Sequence, residues 1–281
     1  MFFSFVFCFF FLSSCEKDIH ISIKGTEQLC FNCILNPDSL ITAKLTLSRS
    51  ISDNEDFSVI DNATVELKED GEPLCILQNK GDGIYTFNDK PRAGAVYEVT
   101  VTASGFPQLK AETKVPEKPL VEYQILNSEW REQGKFYIYD MKYSINDPIG
   151  INRYWHYSIG LVAGIWRFTG YYDDINAPFI DDFNRVTDPA EEYGYLYRYY
   201  VRINDTDLDG TQLIFESTAS SRKILFFMDS DEHYDKYLKS TIKQWMNSDE
   251  DIQMSEPVQI YTNITNGMGI FGSAAIRKIE L

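Results

Sequence analysis

The sequence predicts a mainly β protein. An N-terminal immunoglobulin-like β-sandwich over residues 29–116 is followed by a second antiparallel β domain, residues 117–281, with one amphipathic helix at about 230–246. Three observations carry this. Aromatic residues make up 15% of the chain, with 18 Tyr and 19 Phe, and such side chains suit the half-buried surface of a pleated sheet. Short runs of alternating apolar and polar residues recur with Gly, Pro and Asp turns between them. One stretch alone carries the 3.6-residue period of a helix.

The first element is a signal rather than a span. Met1 to Leu12 is apolar apart from Ser4, and Leu12-Ser13-Ser14-Cys15 follows. Twelve residues make only about 18 Å of helix, too short for a hydrocarbon core of about 30 Å. The pattern is that of a lipoprotein signal peptide, residues 1–14, with Cys15 as the lipidated residue. Acyl chains on Cys15 make the lipid bilayer the first expected partner, since two or more chains hold a protein firmly. Residues 15–28 then read as a tether.

Within 29–116, Ala43 to Ser48 and Asn62 to Leu67 alternate as half-buried strands should, the second ending at an Asp70-Gly71 turn. Gly83 to Phe87 and Tyr97 to Thr102 repeat the pattern, separated by Pro91 and Gly94. Closely spaced strands over some ninety residues read as an immunoglobulin-like sandwich. Pro116-Glu117-Lys118-Pro119 marks the expected boundary, because two prolines stiffen a linker and withhold ladder donors.

The second part opens with a strand pair. Tyr137, Tyr139, Met141, Tyr143 and Ile145 share one face, and Trp155, Tyr157, Ile159 and Leu161 share another. Tyr234, Tyr237, Leu238, Thr241, Ile242 and Trp245 lie on one side of a helix, with Asp229 and Glu232 spaced as a capping box. Val258 to Thr262 reads as a final strand before a Gly-rich tail.

Composition excludes some functions. With 26 basic and 42 acidic residues the net charge is −16, so there is no basic footprint for nucleic acid and no nucleic-acid partner is expected. Of 5 cysteines, Cys8 leaves with the signal and Cys15 is acylated, which leaves Cys30, Cys33 and Cys75. Cys30 and Cys33 have CxxC spacing, but in a strand i and i+3 point to opposite faces. Buried or unpaired thiols and a disulfide to Cys75 are the two structural readings.

The tail Asn263-Ile264-Thr265-Asn266-Gly267-Met268-Gly269-Ile270-Phe271-Gly272 resembles the closing signature of a Bacteroidota outer-membrane lipoprotein family, domain of unknown function 4249. Further marks come in order: the Cys15 motif, Leu47-Ser48-Arg49-Ser50, Asn62-Ala63-Thr64-Val65, Gly83-Ile84-Tyr85, Val115-Pro116, Asn204-Asp205 with Gly210, Tyr237-Leu238-Lys239-Ser240 and Pro257-Val258. The resemblance implies an exported, membrane-anchored, non-enzymatic β protein, often encoded beside TonB-dependent transporters. It supplies no catalytic residues. The segment around Cys30 and Cys33 departs from the family pattern, which is Val-rich there.

Three stretches carry candidate chemistry. Asp205, Asp207, Asp209 and Glu216, with Gly210 between, have the spacing of a calcium loop, although the flanking runs read as strands and a polar hairpin loop is the alternative. Gly267-x-Gly269-x-x-Gly272 matches the dinucleotide fingerprint in letters only, since nine residues cannot complete a βαβ unit. Residues 171–192 form an acidic loop containing Asp173, Asp174, Asp181 and Asp182. With Tyr154, Trp166, Tyr171 and Tyr172 it is the candidate ligand or partner contact, a solvated insertion being the alternative. The run Tyr193, Tyr195, Tyr197 and Tyr199 beside it alternates on one strand face.

No nucleophile elbow, Walker loop or H-E-x-x-H zinc motif occurs. The expected function is a non-enzymatic lipoprotein of the outer membrane, on its periplasmic or cell-surface side, that binds a nutrient or a TonB-dependent transporter. The alternatives are an adhesion module of immunoglobulin type and a hydrolase whose site has no motif. No cofactor is expected beyond the calcium.

Overall fold

The computed structural model describes residues 26–49, 56–146, 149, 154–161, 200–204, 210, 212–221, 223–249 and 258–281. Eight strands build the first sandwich: β1 (Leu29–Leu35), β2 (Ile41–Leu47), β3 (Thr64–Glu69), β4 (Glu72–Ile76), β5 (Gln78–Gly81), β6 (Ile84–Phe87), β7 (Val96–Thr102) and β8 (Leu109–Lys114). They run in the orders β1-β2-β6-β5 and β4-β3-β7-β8. Numbered from the first strand, these are the two sheets of an immunoglobulin-like fold.

The alternation read in the sequence becomes the core. In β1 and β7 every second residue is buried or nearly so. Phe31, Leu45 and Tyr85 of one sheet meet Val65, Val99 and Leu109 of the other. The Asp70-Gly71 turn joins β3 to β4 with φ of 50° and 84°, the two positive values that a two-residue type I′ hairpin requires.

Tyr97 forms the tyrosine corner of this architecture. Its buried ring places the hydroxyl to accept the Arg92 backbone N–H at 2.8 Å and to donate to Glu69 Oε2 at 2.6 Å. Burial, followed by the neighbouring Glu69 carboxylate, pushes the phenol up to about 12. Arg92 ties the corner to Glu69 and Asp70. The Val96 amide and then the Arg92 guanidinium hold Asp70 below the usual carboxylate range.

Pro116 and Pro119 fall between β8 and the next strand, β9 (Val121–Arg131). β9 pairs with β10 (Phe136–Asn146), which pairs with β13 (Gln212–Ser220) in a three-stranded sheet. Facing it are β11 (Tyr154–Leu161), β12 (Tyr200–Asn204), β14 (Lys223–Ser230) and the far half of β15 (Met268–Glu280). Met141, Tyr143 and Phe215 of the first layer pack on Leu225, Phe227 and Ile279 of the second. Tyr143 stands 5.1 Å from Phe215 and 5.3 Å from Phe227, centroid to centroid. A second sandwich results, with the helix α1 (Glu232–Asp249) against β15.

Several expectations change here. The strands around residues 137–145 and 155–161 are not a pair, because β10 and β11 lie in different sheets. β9 was not expected, although Val121 to Ile125 alternates; only Val121 of its 11 residues is buried. The final strand is not 258–262, which lies outside any strand; it is the Gly-rich tail itself, 13 residues long as β15. Met268 to Ser273 run parallel to β1, and Ala274 to Glu280 run antiparallel to β14. One strand therefore joins both sandwiches in a single eight-stranded sheet, in the order β12-β11-β14-β15-β1-β2-β6-β5.

Replacing Tyr97 by Phe strands the Arg92 N–H and removes the donor to Glu69 Oε2 without filling any space. The variant is expected to lose roughly 1–3 kcal/mol of stability. Urea unfolding should show a lower midpoint at unchanged slope; a midpoint equal to that of the wild type would remove the corner from the account of the fold.

Candidate functional site

Most candidate site residues lie outside the described residues: Cys15, Trp166, Tyr171, Tyr172, Asp173, Asp174, Asp181, Asp182, Asp205, Asp207 and Asp209. The tyrosine run from Tyr193 to Tyr199 lies outside them as well. The strands that bracket them are placed. Residues 162–199, which contain the acidic stretch 171–192, connect β11 to β12, antiparallel neighbours at one edge of the eight-stranded sheet. Tyr154 opens β11, with Asn204 opposite on one side and Ser230 on the other.

The calcium-like stretch takes a different context from the hairpin considered above. β12 before it and β13 after it belong to different sheets and are not hairpin partners. Glu216 is exposed on β13 and faces Lys142 of β10 across the ladder. Among the described residues no group of three or more His, Cys, Asp or Glu side chains is placed to hold a metal ion.

Cys30, Cys33 and Cys75 are free thiols. Cys30 and Cys33 occupy alternate faces of β1, with Cys33 buried in the first core. Burial raises Cys33 to about 12 and also raises Cys30 and Cys75, so none is poised as a thiolate nucleophile.

The densest polar constellation among the described residues is structural, and it gathers around Asp231, between β14 and α1. Asp231 Oδ1 accepts the backbone N–H groups of Tyr234 and Ser273, each at 3.0 Å. The Asp231 N–H in turn donates to the Ser273 carbonyl at 3.0 Å. Thr113 of β8 donates its hydroxyl to Asp231 Oδ2 at 2.8 Å and lies 3.0 Å from Ser273 Oγ. Ser273 Oγ donates to the Lys114 carbonyl at 2.8 Å. The helix cap is thus Asp231 and not Asp229, which is buried at the end of β14. An N-cap side chain must reach the N–H three residues on, and Asp231 does so.

The closing signature surrounds this node. Asn263 donates from Nδ2 to the carbonyls of Glu112, at 3.1 Å, and Phe271, at 2.8 Å, while its Oδ1 accepts the Phe271 N–H at 3.1 Å. Thr265 bridges to Lys110, and Asn266 reaches the Gln108 carbonyl at 3.0 Å. Gly269 has φ of 101°, and a Cβ there would come within 2.1 Å of the Phe31 carbonyl oxygen. The three glycines lie at the head of a strand and open no helix, so the dinucleotide reading fails on geometry as well. The signature is a latch that seats β15 between β1 and β8. Sequence reading marked these residues but not their purpose, and it passed over Thr113 and Ser273.

Comparison with known proteins adds a family. The sequence model described as "Domain of unknown function (DUF4249)" matches residues 16–280. Among curated proteins, none matches the sequence. Two solved structures show weak similarity. A mutant of Salmonella alpha-2-macroglobulin has 13% identity and a TM-score of 0.24, over 74% of this chain and 14% of that one. A Corynebacterium diphtheriae protein described as membrane anchored has 10% identity and a TM-score of 0.22, over 73% of this chain and 54% of that one. The chain therefore spans a small part of the first and about half of the second.

Burial raises the Asp231 carboxyl above its ordinary value of 3.8, against the amides of Ser273 and Tyr234, the Thr113 hydroxyl and the charge of His233, all of which pull it down. A folded value above the unfolded one means that the native state holds the proton more tightly. This group's contribution to stability is then largest in acid and falls as pH rises through the folded value. The stability of the wild type relative to Asp231→Asn should accordingly shrink from acid to neutral pH in urea melts; a gap that widens would reverse the sign. Asp231→Ala, which leaves two amides without an acceptor, should lose about 2–4 kcal/mol at neutral pH.

Proposed function

This chain belongs to the DUF4249 family, and on that premise we propose that it is an exported, non-enzymatic lipoprotein of the outer membrane, anchored through Cys15, that binds a nutrient ligand or a TonB-dependent transporter. The observation that carries the reading is the apolar run ending in Leu12-Ser13-Ser14-Cys15. A run of 12 residues, apolar but for Ser4, suits a cleaved signal rather than a span, and a cysteine directly after two small residues is the acceptor such a signal needs. Acylation at Cys15 sets the tether at the bilayer and the first sandwich beyond it.

Contact with the partner falls to the second sandwich in this reading. Asp173, Asp174, Asp181 and Asp182 concentrate negative charge in the connection from β11 to β12, with Trp166, Tyr171 and Tyr172 beside them. A long connection on a rigid sheet is where binding residues gather. Acidic steering speeds encounter with a basic surface and weakens as salt screens it.

Mass spectrometry of the mature protein should find an acylated N-terminal Cys15, and an unmodified terminus elsewhere would end the lipoprotein assignment. Pull-down from outer membranes should recover a transporter with the wild type and lose it, or make it far more salt-sensitive, when Asp173 to Glu192 is deleted. Equal recovery by both proteins would remove the acidic segment from the contact and leave the anchor standing.

A further inference from the structure

β9 is a long sheet edge with apolar side chains on it. Its 11 residues pair with β10 on one side, and no described residue pairs with the other. The remaining edges of the described sheets are shorter or covered. β13 has 9 residues, β4 and β12 have 5 each and β5 has 4, while β8 is latched by Thr265 and Asn266. Tyr123, Ile125, Leu126 and Trp130 each keep 45–46% of their surface exposed, and Trp130 continues into a ring cluster with Tyr137 and Tyr139. Such an edge is a template for another strand.

The residues of β9 say which strand fits. Leu126 is the extra residue of a bulge, since Ile125 lies opposite Met141 and Asn127 opposite Asp140. Tyr123, Ile125, Ser128 and Trp130 therefore share the face of Met141 and Tyr143, and Glu122, Gln124, Glu129 and Arg131 share the other. We infer that the occupant is β9 of a second copy, antiparallel about a two-fold axis between Leu126 and Asn127.

In that register Glu122 of each copy meets Arg131 of the other, Tyr123 meets Trp130, Gln124 meets Glu129, and Ile125 meets Ser128. Every pair joins side chains of the same face. Both ends carry an ion pair and both flanks an aromatic pair, the cross-strand contacts that stabilise sheets. The register is specific. A one-residue slip sets the faces against each other, and a two-residue slip in either direction breaks both Glu122–Arg131 pairs, in one direction setting Glu122 against Glu129 twice. Arg131, held by its own Glu129 at 2.9 Å with half of its side chain exposed, is within the same stretch of edge as its new partner.

Charge reversal tests this on the full chain in detergent, with two differently tagged copies co-expressed and sedimentation velocity run alongside. The wild type should self-associate. Glu122→Arg and Arg131→Glu should each weaken the association at least tenfold, and the double variant E122R/R131E should restore it. Circular dichroism of the single variants should match the wild type, because both side chains are exposed. A monomeric wild type, single variants that associate as well as the wild type, or a double variant that fails to recover would each overturn the β9 pairing.

Discussion

The whole arrangement depends on one strand changing partners in its middle. At Ser273 and Ala274, β15 leaves its parallel pairing with β1 and takes up antiparallel pairing with β14. At such a point the backbone groups of a buried strand must find partners outside the regular ladder, because an unpaired buried amide costs roughly 1–3 kcal/mol. Asp231 supplies them. A single carboxylate accepts the Ser273 amide, caps α1 through Tyr234 and takes the Thr113 hydroxyl from the first sandwich. Sheet, helix and neighbouring sandwich are tied at one side chain.

The cost of burying that carboxylate is visible in its raised protonation equilibrium, which three hydrogen bonds offset without cancelling. The latch formed by Asn263 to Gly272 adds contacts that need no charge. An asparagine amide ties the approach to β15 to Glu112 and Phe271, and a glycine at positive φ lets the strand touch the Phe31 carbonyl. The family signature thus marks how the tail is held, in residues whose polar atoms are already engaged with the fold. A ligand site is better sought elsewhere on the surface.

The sheet order suggests where. β1, which follows the tether, lies inside the eight-stranded sheet, and β12, which receives the acidic connection, lies at its far edge. Four strand spacings separate them, roughly 19 Å at about 4.8 Å each. A continuous sheet over that distance sets the strand that receives the acidic connection apart from β1, the first strand of the described chain.

What the sequence determined by itself was local. The period-two runs of β2, β3, β6 and β7, the Asp70-Gly71 turn and the period of α1 are properties of neighbouring residues, and each is found where it was read. Tertiary structure decided what depends on distant partners. β15 was invisible because glycines carry no pattern and its first partner, β1, lies at the other end of the described chain. β9 was passed over although Val121 to Ile125 alternates, because the bulge at Leu126 breaks the period and the strand is exposed on both faces. The cap moved from Asp229 to Asp231 because Ser273 and Thr113, brought from two other strands, made Asp231 the buried acceptor. Pairing over such separations rests on hydrogen bonds and close contacts between residues that share no local period, and only the folded chain brings them together.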